Sequence, residues 1–134
     1  MSFITNIEEK AKNNTNFREV LYTGKCTQLV VMSIAPGTDV GEEVHARVDQ
    51  TLYIVSGVCE VVLDKKTSKV SAGEIIIVSP GTLHNFINKG KDDVKIITTY
   101  SPPNHLPDRI HTTYEDAVAD EEDEAYSDEV NSQE

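Results

Sequence analysis

From Phe17 to Tyr100 the chain is cut into eight short runs rich in β-branched and aromatic residues, with a turn signal roughly every eight to twelve residues. The runs are Phe17 to Thr23, Thr27 to Ala35, Thr51 to Val55, Val58 to Leu63, Lys69 to Ser71, Ile75 to Val78, Leu83 to Ile87 and Val94 to Tyr100. Gly24-Lys25, Pro36-Gly37, Ser56-Gly57, Asp64-Lys65-Lys66, Gly73, Pro80-Gly81, Asn88-Lys89-Gly90 and Pro102-Pro103 punctuate them. Glycine supplies backbone angles closed to other residues, and proline fixes one angle and removes a donor, so such pairs end strands. This regularity predicts an all-β sandwich or barrel. No helical pattern alternates with the strands, which argues against a parallel α/β sheet.

Residues 3 to 13 read as a short amphipathic helix, with Phe3, Ile7 and Ala11 four apart and Asn13-Asn14 as the stop. After Pro107 the strand pattern ends, and Tyr114 to Val118 suits one helical turn. The reading is therefore a helix over 1–15, a barrel over 16–118 and an acidic, disordered tail over 119–134.

The net charge of −11 belongs to that tail. Ten of the 23 acidic residues, and none of the 12 basic ones, lie between Glu115 and Glu134, leaving thirteen acids against twelve bases elsewhere. Neither part offers a basic face for nucleic acid. No apolar run is long enough to span a bilayer, and Met1 to Asn6 lacks the pattern of a secretory signal. Cys26 and Cys59 match no metal or redox spacing, so idle thiols in a reducing cytoplasm are expected.

Four residues stand out as chemistry. Glu43 and His45, two apart on an extended stretch, share a face; Gln50 opens the next run, and His84 follows Pro80-Gly81-Thr82. Each has an ordinary reading alone: a hydrogen-bonded strand histidine, a strand-end amide, a solvated acid. If their strands are neighbours, two imidazoles, an amide and a carboxylate converge, a donor set suited to a divalent transition ion.

The chain here resembles the cupin superfamily, whose signatures are G-x5-H-x-H-x4-E-x6-G and G-x5-P-x-G-x2-H-x3-N. The first maps onto Gly37, Glu43, His45, Gln50 and Gly57, and the second onto Gly73, Ser79, Gly81, His84 and Asn88. Glu43 stands at the first histidine position, Gln50 at the glutamate position and Ser79 at the proline position, with Pro80 next. Gly41-Glu42-Glu43-Val44-His45, Asp49-Gln50 and the stretch from Pro80 to Asn88 resemble small cupins loosely likened to mannose-6-phosphate isomerase.

The resemblance implies a single jelly-roll β-barrel with one metal position, commonly a homodimer, with His45, Gln50, His84 and Glu43 as ligands. Three or four protein ligands leave open positions that suit Mn, Fe, Ni or Co better than structural Zn. Glu43 is either a ligand or a catalytic base; as a base among apolar walls its pKa should be raised. Asp49 and Asn85 are polar neighbours of the ligands, and Val30, Met32, Ile34, Leu52, Ile54, Phe86, Ile96 and Tyr100 pack the core or wall the cavity. His105 and His111 read as surface residues, with the segment around His105 shaping the pocket rim. Arg47 and Lys95 are candidate anchors for an anion. Function reads as a metal-dependent isomerase or oxygenase on a small sugar-like or organic-acid molecule. The alternatives are a non-catalytic sensing module and a remnant that has lost its site.

Overall fold

The computed structural model describes residues 2–132. Its strands are β1 (Arg18–Thr23), β2 (Gln28–Ile34), β3 (Asp49–Ser56), β4 (Val58–Leu63), β5 (Lys66–Ser71), β6 (Ile75–Val78), β7 (His84–Ile87), β8 (Val94–Ser101) and β9 (Ile110–His111). The helices are α1 (Ile7–Asn13), α2 (Tyr114–Ala119) and α3 (Glu121–Ser132). All eight sequence-derived runs are strands, most with ends moved by one or two residues. The turn at Asp64-Lys65 takes positive φ at both positions, so β5 starts as early as Lys66.

The strands form two antiparallel sheets, ordered β6-β3-β8-β2-β1-β9 and β5-β4-β7. Inward positions alternate along β3 and β8, and their register sets Gln50 beside Tyr100, Leu52 beside Thr98 and Ile54 beside Ile96. Val30, Met32, Ile34, Leu52, Ile54, Phe86 and Ile96 are all essentially excluded from water between the sheets, each contributing about 1.5–3 kcal/mol of burial.

Two motif residues serve this frame. At Gly57, where φ is +91°, a Cβ would lie 2.8 Å from the Asp93 carbonyl. Fully buried Asn88 donates to the Ile34 and Asp92 carbonyls and accepts from Gly90 N–H, stitching the loop after β7 onto β2.

The helix α1 begins at Ile7, because the Asn6 side chain accepts from Glu9 N–H and caps it there. Phe3, expected inside it, instead stacks on Tyr22. The tail departs furthest from expectation: residues 121–132 form a helix rather than a disordered segment. Two of the tail's acids, Asp120 and Asp123, are tied down. The His105 ring and Leu106 N–H both donate to Asp123, which is 4% exposed. Asp120 Oδ2 accepts from Arg109 and from His111 Nε2. Ser127 and Asn131 both donate to the Asn104 side chain.

Candidate metal centre

Residues 37–45 run antiparallel to β7, extending the smaller sheet. Gly37 N–H bonds the Asn88 carbonyl, Val40 N–H bonds Phe86, and Glu43 and His84 exchange two backbone bonds of 2.9 Å. Gly81 N–H then donates to the His45 carbonyl, fixing the approach to β7 from its other end. This pairing brings side chains forty residues apart together: the His45 and His84 rings lie 5.0 Å apart. Ligand atoms of Glu43, His45 and His84 all fall within 4.8 Å of one another.

The tautomer of His84 follows from its neighbour. Nδ1 lies 2.8 Å from the Thr82 carbonyl, which can only accept, so Nδ1 carries the hydrogen and Nε2 presents its lone pair. Burial, with the nearby His45 charge, holds the His84 pKa below the ordinary histidine value. His45 Nε2 sits 3.3 Å from Glu43 Oε2, and the edge of its ring faces Tyr100.

Glu43 departs from the expectation of a raised pKa. Burial pushes its carboxyl up, but the His45 hydrogen bond and the charges of His45, Arg18 and His105 outweigh that and leave it lowered. Its side chain is 40% exposed, so water is not shut out.

Gln50 is 3% exposed on the inward face of β3. Its amide nitrogen donates to Thr98 Oγ1, while its carbonyl oxygen is buried without any hydrogen-bond partner. An orphaned acceptor of this kind costs about 1–3 kcal/mol. A cation would satisfy it, so this buried acceptor fits a metal ion in the barrel that also gathers Glu43, His45 and His84, on an observation independent of any motif.

A cavity of about 510 Å³ opens beside Glu43 and His45. Its far wall is the returning chain: Asn104 and His105, then Tyr114, Asp123 and Ser127 from α2 and α3. His105 and His111 are therefore not surface residues; they are 7% and 3% exposed, each held against a tail carboxylate. Gln28, wholly buried, fixes the segment by accepting from Asn104 and His105 N–H and donating to the His105 carbonyl. Asp49 is exposed, and Asn85 accepts from Phe86 N–H. Lys95 reaches Asn14 and Ser33 at the C-terminal end of α1, and Arg47 is exposed.

The cupin-domain profile matches residues 30–100. The chain belongs to the cupin family. It is 40% identical over 126 residues to YrkC of Bacillus subtilis (strain 168), covering 90% of this chain and 68% of that one. It is 34% identical over 112 residues to L612 of Acanthamoeba polyphaga mimivirus, covering 81% and 70%. The crystal structure of BH2720 from Bacillus halodurans superposes with a TM-score of 0.87 at 34% identity, covering 89% of this cupin and 95% of that chain. Sequence reasoning missed Arg18 and Asp123 as cavity residues, whereas Asn104 and His105 belong to the segment expected at the rim. Arg18 had a readable signal, a charge in phase with inward Val20 on an alternating strand.

Proposed function

We propose that this cupin holds one divalent transition-metal ion, Mn, Fe, Ni, Co or Zn, through His45, His84, Gln50 and Glu43. On this reading it acts as a metal-dependent enzyme on a small polar molecule. The observation that carries this is the buried, partnerless carbonyl oxygen of Gln50, in a barrel whose Glu43, His45 and His84 ligand atoms already lie within 4.8 Å of one another. Bound there, the ion would supply Lewis acidity toward a substrate oxygen. The chain's own residues do the rest. Thr82 orients His84, Thr98 orients Gln50, and the C-terminal helices wall the cavity in which a substrate would sit. Glu43, ionised and partly open to water, is a ligand or a proton acceptor at its free oxygen.

The test is titration of chelator-treated protein with Co²⁺, followed by visible absorbance. Wild type should saturate at one equivalent, and Gln50→Ala should bind more weakly; identical curves would remove Gln50 from the shell. Oxygen uptake with iron restored would favour an oxygenase, and manganese- or zinc-dependent sugar interconversion an isomerase. Ligand retention without turnover would favour a sensor.

Two further readings belong with this one. Exposed Ile75 and Ile77 on edge strand β6 support pairing with a second copy, checked by sedimentation of Ile77→Lys. The free thiols of exposed Cys26 and buried Cys59 suit a reducing cytoplasm. Among the described residues no helix is long and apolar enough to cross a membrane.

A further inference from the structure

Arg18 is a guanidinium inside the barrel. It sits on β1 in phase with core residue Val20, is 6% exposed, and lines the cavity that holds Glu43 and His45. Its side chain is held in place: one terminal nitrogen donates to His111 Nδ1 at 3.4 Å, the Tyr100 hydroxyl bonds to it, and Phe17 lies beneath it at 5.2 Å. The His111 tautomer follows, since Nε2 donates to Asp120 and Nδ1 is left to accept from Arg18.

None of these contacts is an ion pair. The described carboxylates form salt bridges with Lys12, Lys89, Lys95, Arg109 and three histidines, and none of these bridges includes Arg18. The Arg18 Nε–H is buried with no acceptor at all. Glu43 and Asp123 feel the Arg18 charge without bonding to it; a buried cation so loosely paired is costly, and its one unpartnered N–H suits a carboxylate oxygen.

We propose that Arg18 anchors the carboxylate of a small organic acid whose other polar end faces Glu43 and His45, which line the same cavity. The identity of the reacting end rests on the metal-site reading above; the anchor itself does not. The mouth of the cavity sharpens the class. Glu42, Glu124 and Asp128 are exposed around it and Glu43 and Asp123 line it deeper in, so a phosphate dianion meets five carboxylates with twice the charge of a monocarboxylate, for which the one guanidinium is a matched partner. The substrate class is therefore a short hydroxy or oxo monocarboxylic acid rather than a sugar phosphate.

Glycolate, its neutral analogue glycolamide and the polyanion 2-phosphoglycolate test this, with binding measured by calorimetry on the full chain. Wild type should bind glycolate at least tenfold more tightly than glycolamide and more tightly than 2-phosphoglycolate. Arg18→Lys should weaken glycolate several-fold, and Arg18→Gln should abolish the preference for the acid. Should Arg18→Gln fail to fold, the wild-type comparison and Arg18→Lys still decide. Equal wild-type affinity for acid and amide, or unchanged glycolate binding in Arg18→Lys, overturns the proposal, and tighter binding of 2-phosphoglycolate overturns the choice of class. Repeating the series in His84→Ala separates the two readings: a preference that survives there supports the anchor even where metal is lost, and its absence in metal-loaded wild type sinks the anchor alone.

Discussion

Among the described residues, two groups of histidine and carboxylate bring their ligand atoms within 4.8 Å of one another. Glu43, His45 and His84 form one; His111, Asp120 and Asp123 form the other. They differ in what their lone pairs meet. In the second group all four carboxylate oxygens are taken: Asp120 accepts from Arg109, His111 and Asp123 N–H, and Asp123 from His105 and Leu106 N–H. Arg18 caps His111 from the other side. In the first group His84 keeps a lone pair on Nε2, and the barrel that holds the group buries a Gln50 oxygen that nothing bonds. Proximity of donors does not make a cation site. Unspent acceptors do, and the satisfied group is a clasp that locks the tail over the barrel.

The comparison breaks most readily at the clasp. Asp123→Ala leaves the His105 and Leu106 donors unpaired and should cost about 4 kcal/mol in denaturant unfolding, while metal affinity stays within about threefold. A fall in affinity as large as that in stability would merge the two groups into one site. His84→Ala should do the reverse: metal affinity drops at least about 100-fold, while the metal-free protein loses about 2 kcal/mol for the buried ring, less than Asp123→Ala.

The pH dependence sharpens the clasp. Burial and the Arg18 charge push His105 from 6.5 down to about 4, although Asp123 pulls the other way. As pH falls, the unfolded chain takes up the proton first, so stability should decline between about pH 6.5 and 4 by on the order of 3 kcal/mol and level off for this group beyond either end. His105→Gln should remove that slope in urea melts; an unchanged slope would assign it elsewhere.

The smallest effect probes the open acceptor. Gln50→Glu should raise metal affinity about tenfold, worth about 1.4 kcal/mol, and lower the melting temperature of the metal-free form, because the added charge is buried with only the Thr98 hydroxyl to donate to it.

The frame was readable because its signals are local. Alternation and turn pairs marked β1 to β8, and the two cupin signatures, more than spacing, singled out Glu43, His45, Gln50 and His84. The clasp was not readable, since its acids look like an ordinary solvated run until His105 and His111, distant in sequence, are folded against them. Composition predicted disorder there, and pairing overrode it. Arg18 fell between the two cases: β1 alternates, but a single charge in a strand of mixed residues is easily taken as an outward one.

The account rests on His84 and Gln50 holding an ion while His111 and its acids do not. Elemental analysis of protein purified without chelator, run in parallel on wild type, His84→Ala and His111→Ala, reads this directly. One metal ion per chain in wild type and His111→Ala, with none in His84→Ala, is the expected result. Equal metal in all three, or loss only in His111→Ala, would contradict it.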